Sequence, residues 1–167
     1  MPVPTRFSET DLEQSLIEDF GLHVGGAMGW PPMAGRAAGV LMLSETPMTL
    51  TELQEALEAS KGSVSETTRL LIVNGVVERF KEAGQRQFVF RWRPDAWIGC
   101  LEHQLRATTE LLAFARESQD KGEGLSAVQR ERLRDMADYY VFIAERLERL
   151  LADYTQRWEA GREKAQD

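Results

Sequence analysis

The sequence predicts a mostly α protein, an α+β winged helix-turn-helix with long N- and C-terminal dimerisation helices. Three observations carry this fold class. Residues 60–92, SKGSVSETTRLLIVNGVVERFKEAGQRQFVFRW, hold a glycine turn, a short one-sided helix and two alternating runs around Gly84. Residues 49–57, TLTELQEAL, hold a helix-start signal and a leucine stripe. Beyond Pro94, apolar residues recur at three- and four-residue intervals, the spacing of helices with one buried face.

Thr49 with Glu52 three residues on has the reciprocal capping pattern, and Leu50, Leu53 and Leu57 form a stripe behind it. The turn Ala59-Ser60-Lys61-Gly62 is expected to redirect the chain at its glycine, so that a second helix starts at Ser63. Val64, Thr68 and Leu71 then share one face, while Ser63, Glu66, Arg69, Leu70 and Val73 point away from it. Asn74-Gly75 is a stop signal. Residues 76–81 and 87–92 alternate apolar and polar side chains, as two hairpin strands require.

Ser8, followed by Glu9 and Asp11, reads as the start of an N-terminal helix whose stripe is Leu12, Leu16, Phe20 and, less regularly, Val24. Gly25-Gly26, Gly29 and Pro31-Pro32 are expected to break it, and Met33 to Ser44 to form the next helix, with Ala34, Gly35, Ala38 and Gly39 permitting close approach. After the hairpin, Trp97, Leu101, Leu105, Thr108, Leu112 and Ala115 mark one long helix, and residues 121–124, KGEG, end it. Leu133, Met136, Tyr140, Ile143, Leu147, Leu150 and Tyr154 mark a longer one at coiled-coil spacing. A helical hairpin within one chain and a dimer both accommodate these stripes, and dimerisation is preferred because both helices would otherwise present apolar surface. The predicted division is residues 1–30 as an N-terminal dimerisation helix, 31–93 as the winged helix-turn-helix domain, and 94–167 as the helical dimerisation region.

At 43% hydrophobic and 28% charged residues, the composition is that of a folded soluble domain and not a disordered chain. No apolar run approaches the roughly 18 residues a membrane span needs. With one cysteine there is no internal disulfide, which suits the cytoplasm. The net charge of −7 is unevenly spread. Residues 60–93 carry seven Lys/Arg against three Glu, whereas every other part of the chain is net acidic. A basic face on an acidic body would orient the protein on double-stranded DNA and limit non-specific binding.

The candidate DNA-binding residues are Lys61, Ser63, Ser65, Glu66, Thr67 and Arg69 of the second helix, and Arg79, Lys81, Gln85 and Arg86 of the hairpin. Helix N-termini and hydroxyls suit phosphates, Arg69 suits base edges, and Arg86 at the tip suits backbone or minor groove. Arg36, amid small residues, is expected to tie helices together. Trp30, Trp92 and Trp97 are candidate walls for a small-molecule effector, since aromatic rings suit apolar or cationic ligands. Cys100 has no neighbouring Lys or Arg and is expected to be buried packing rather than a redox sensor. His23 and His103 lack ligand spacing, and the glycine-rich residues 25–29 follow no strand and lack a phosphate-loop lysine, so neither a metal nor a cofactor is expected, nor catalysis.

Residues 20–97 resemble the MarR-type winged-helix regulators, closest to the GbsR-like branch. Phe20-Gly21-Leu22, the run from Pro32 to Leu41, Ser60 to Ser65, Gly75 to Arg79, Gly84-Gln85-Arg86 and Asp95-Ala96-Trp97 carry the resemblance. It implies a homodimer on pseudo-palindromic operators, often answering a small molecule, and hence a DNA-binding regulator, a repressor in the preferred reading. Thr68 stands where the pattern has leucine, and Leu70, Ile72 and Val73 make the helix more apolar than that pattern. The alternative function is a protein-interaction module that uses the winged helix without DNA.

Overall fold

The computed structural model describes residues 9–165. The chain divides between Ala96 and Trp97 into two units.

In the first unit, α1 (Glu9–Asp19) runs through a π-helical turn, Phe20–Val24, into a four-residue helix α2 (Gly25–Met28). The expected cap Ser8 lies outside the described residues. Gly25-Gly26 does not break the helix as the sequence suggested. It ends at Gly29, which takes the left-handed conformation at φ 67°. Close contact is made at Gly35 instead. A Cβ on Gly35 of α3 (Pro32–Leu43) would sit 2.5 Å from the Phe20 carbonyl oxygen and 2.8 Å from the Gly21 Cα. Backbone therefore lies on backbone where the π-turn crosses α3. Arg36 has the tying role expected of it: its Nε donates to Glu18 Oε1 of α1 at 3.0 Å, and Nη1 donates to the Leu57 carbonyl at 3.5 Å.

The helix pair is α4 (Leu50–Leu57) and α5 (Lys61–Val73). Thr49 caps α4 through the complete reciprocal box: Thr49 Oγ1 accepts from Glu52 N, and Glu52 Oε2 accepts from Thr49 N at 2.6 Å. The bonds the Glu52 carboxylate accepts from Thr49 N and, at 2.8 Å, from Thr49 Oγ1 hold its pKa below the ordinary value. The redirection between the helices falls on Glu58, in the left-handed region at φ 50°, and not on Gly62. Ser60 is the cap, accepting from Ser63 N at 3.2 Å, so α5 starts two residues earlier than expected and Gly62 lies inside its first turn. At the other end Gly75, at φ 77°, stops the helix as its sequence suggests.

The strands β2 (Val77–Phe80) and β3 (Val89–Trp92) pair antiparallel from Val77↔Trp92 to Phe80↔Val89. A two-residue strand β1 (Met48–Thr49), with no counterpart in the sequence reading, pairs with the other side of β3. In β3, the middle strand, the consecutive residues Val89 and Phe90 are both buried, so simple alternation breaks down there. Leu41, Leu53, Leu57, Val64, Leu71, Val76 and Val77 form the dry centre of this unit.

The second unit consists mainly of α6 (Ala96–Lys121) and α7 (Ala127–Lys164), joined by a turn at Gly122 and Gly124. Ser126 caps α7 in a second reciprocal box with Gln129. A Cβ on Gly122 would meet Leu133 Cδ1 at 2.8 Å, so the turn closes onto the first part of α7. Most of the anticipated α7 stripe is half-buried, but Leu150 is exposed, as are Tyr139 and Phe142. No described helix is long and apolar enough to cross a membrane.

The crossing at Gly35 yields a stability test. Gly35→Ala should lower unfolding free energy by about 1–3 kcal/mol through overpacking. Gly26→Ala, where an added Cβ meets nothing within 4 Å, should be neutral or slightly stabilising. Urea unfolding of the two variants checks the contrast, and equal stabilities would contradict the proposed close approach.

Candidate nucleic-acid interface

Helix α5 is buried along Val64, Thr67, Thr68 and Leu71, a stripe at i, i+3, i+4 and i+7. Thr68, in place of a leucine, satisfies its hydroxyl by donating to the Ser65 carbonyl at 3.1 Å. This stripe corrects one expectation. Thr67, placed at the DNA surface by the sequence reading, is 8% exposed and belongs to the seat, because it lies one turn on from Val64. Lys61, Glu66, Arg69, Ile72 and Val73 are exposed, whereas Ser63, Ser65 and Leu70 are half-buried at the margins.

Beside α5 the hairpin leaves a cleft of about 440 Å³. Lys61, Arg69, Arg79 and Arg86 converge on it, with Ser65, Gln87 and Phe88 between them. Lys81 joins this group through Phe88: its Nζ lies 4.8 Å from the ring centroid, and the Arg79 guanidinium carbon lies 4.0 Å away. Gln85 and Arg86 are exposed at the tip, where Gly84 turns the chain at φ 81° and Gln85 N donates to the Glu82 carbonyl.

The seven cations of residues 60–93 fall into two sets. Arg91 is held by Glu78, its cross-strand partner, at 2.5 Å, and Arg93 by Asp95 at 2.8 Å. Lys61, Arg69, Arg79, Lys81 and Arg86 form no ion pair among the described residues. Four of the second set line the cleft and Lys81 lies beside it over Phe88, so the surplus positive charge is concentrated there.

Residues missed in the sequence reading also line this face. Thr51 and Gln54 of α4 border the cleft, opposite the buried Leu53 and Leu57. Their i, i+3 spacing on the polar side of α4 was the available signal. Phe88 carried no such signal, because it reads as one more strand aromatic.

The tryptophans have different surroundings. Trp30 is half-buried, and its Nε1 donates to Asn74 Oδ1 at 3.3 Å, while Asn74 Nδ2 donates to the Leu70 carbonyl at 2.9 Å. Trp30 is thus linked to the C-terminal end of α5. Trp92 ends β3 opposite Val77, and Trp97, exposed, belongs to the second unit. Among the described residues no cluster of His, Cys, Asp or Glu could hold a metal.

A helix seated on one side and bare on the other, beside a basic hairpin, defines a winged helix-turn-helix protein of the DNA-binding type. Comparison with known proteins narrows the class. Residues 95–160 match the family model described as MmpR5-like MarR family transcriptional regulator. The chain is 35% identical over 127 residues to the HTH-type transcriptional regulator MmpR5 of Mycobacterium tuberculosis, covering 75% of this chain and 76% of that protein. It is 33% identical over 78 residues to the HTH-type transcriptional repressor OpcR of Bacillus subtilis, covering 47% of this chain and 42% of OpcR. A crystal structure of a transcriptional regulator superposes with a TM-score of 0.80 at 29% identity, over 86% of this chain and 98% of that one. The chain belongs to the MarR family of transcriptional regulators, and it is a DNA-binding regulator rather than an interaction module working without DNA.

Cys100 is buried, and burial pushes its thiol pKa up, opposed by a contact from Gln104 Nε2 at 3.7 Å. The thiol is therefore protonated at neutral pH. In the folded protein at pH 8 it should react with a disulfide reagent at least about tenfold more slowly than in urea. Equal rates in the two states would contradict this placement.

Proposed function

We propose that the chain is a homodimeric repressor of the GbsR-like branch that binds pseudo-palindromic operators through Lys61, Ser63, Ser65, Glu66 and Arg69 of α5 and Arg79, Lys81, Gln85 and Arg86 of the wing. The convergence of Lys61, Arg69, Arg79 and Arg86 on one cleft, with Lys81 beside it over Phe88 and none of the five in an ion pair among the described residues, carries the reading. Thr67 is left out because it is buried. The resemblance of residues 20–97 supports the branch, and the name of OpcR supports repression.

Residues 94–167 and the outer face of α1 form the dimer surface in this reading, and residues 31–93 form the DNA-binding domain. Leu12 and Leu16 on α1, Leu111 and Phe114 on α6, and Tyr139, Phe142 and Leu150 on α7 are exposed in the single chain. Apolar exposure on this scale favours a second copy. Release by a small apolar or cationic molecule is part of the proposal, and Trp30 is its best-supported contact, because displacing its indole would free Asn74 at the end of α5. A ligand acts there only through different affinities for the free and DNA-bound forms.

Light scattering at micromolar concentration should give about twice the 18.9 kDa chain mass, and a monomer would contradict the dimer. Arg69→Ala should cost about 1–3 kcal/mol of operator affinity if the side chain reads a guanine. Arg86→Ala should weaken binding evenly across sequences and reduce its salt dependence. Operator titrations across salt separate these outcomes, and wild-type binding by both variants would remove the helix and wing assignments.

A further inference from the structure

Phe88 stands at the wing side of the cleft with 41% of its surface exposed. The register Phe80↔Val89, continued by one residue, puts it across from Lys81 and diagonal to Arg79. Both cations lie over its ring, at 4.0 Å for Arg79 and 4.8 Å for Lys81. An exposed phenylalanine contributes little to the core, which closes beneath it at Val89 and Phe90. Its surroundings give it a different use. Long cationic side chains lose rotamer freedom when they bind phosphate. A cation already stacked on an aromatic face has lost much of that freedom beforehand, and it keeps its charge. Neither Arg79 nor Lys81 has an acidic partner among the described residues, so the ring orders them without neutralising them.

We propose that Phe88 is a positioning residue for DNA binding, presetting Arg79 and Lys81 at the wing so that both meet the phosphate backbone already ordered. The inference rests on the DNA-binding reading of the wing. It assigns Phe88 no base contact of its own. Arg91, over the Phe80 ring at 4.7 Å, is a contrasting case, because Glu78 already holds it.

The test uses the full-length protein and a DNA fragment selected by the wild type, with affinity measured by fluorescence anisotropy over a range of salt. Phe88→Leu, which keeps an apolar side chain without the ring, should bind about three- to tenfold more weakly. Its salt slope should stay that of the wild type, because no charge is lost. Phe88→Tyr, which keeps the ring, should bind within about twofold of wild type. In an Arg79→Ala/Lys81→Ala background, Phe88→Leu should add less than about twofold, since the side chains it acts through are gone. Unchanged thermal midpoints for the Phe88 variants separate this role from one in folding.

Wild-type affinity for Phe88→Leu, or the same loss in the doubly substituted background, would overturn the proposal while leaving DNA binding by the wing intact. The second result would mark Phe88 as touching DNA directly. A wild-type salt slope for Arg79→Ala/Lys81→Ala would overturn both the proposal and the wing reading beneath it.

Discussion

Everything at the candidate interface depends on one constraint: α5 must be held dry on one side and left bare on the other. Val64 and Leu71 are fully buried, and Thr68 joins them only because its hydroxyl finds the Ser65 carbonyl within the same helix. An unsatisfied hydroxyl in that position would cost about 1–3 kcal/mol, so the local bond is what allows threonine where leucine would otherwise serve. With the seat fixed, the outward residues of α5 have no freedom to choose. Arg69 and Lys61 come to the cleft as a consequence of where Val64 and Leu71 are anchored. Trp30 and Asn74 secure the far end of the same helix, and Arg36 ties α3 to α1 and to the end of α4.

Charge is distributed by the same logic. An acidic chain of net charge −7 can still present a basic face if its local acids are used up selectively. Glu78 and Asp95 neutralise Arg91 and Arg93, whereas the cations around the cleft keep their charge. In the proposed reading, long-range attraction to phosphate acts mainly through that face, and the acidic remainder disfavours other orientations on DNA. The interface is thus specified by pairing geometry as much as by composition.

Much of this was legible in the sequence wherever the cause was local. The Thr49/Glu52 box, the Gly75 stop and the KGEG break after α6 lie within a few residues of the structure they control. The seat of α5 was readable from periodicity, except that Thr67 also falls on it at i+3 from Val64. The remaining features are non-local or too short to have a pattern. β1 has two residues and exists only because β3 offers it an edge. The reversal at Glu58 uses a non-glycine residue in the left-handed region, while nearby Gly62 supplied a misleading cue. Gly25-Gly26 reads as a break, yet the helical run continues through both residues to Gly29. The stacking of Arg79 and Lys81 on Phe88 needs the hairpin register before it can be seen.

The most direct test of a seated helix and basic wing acting as a symmetric DNA reader is hydroxyl-radical footprinting on genomic fragments selected by the purified protein. Two related half-sites protected on one face of the duplex, their centres about one helical turn or about 34 Å apart, are the expected result. Protection of a single, unrepeated site, or uniform weak protection indifferent to sequence, would contradict it.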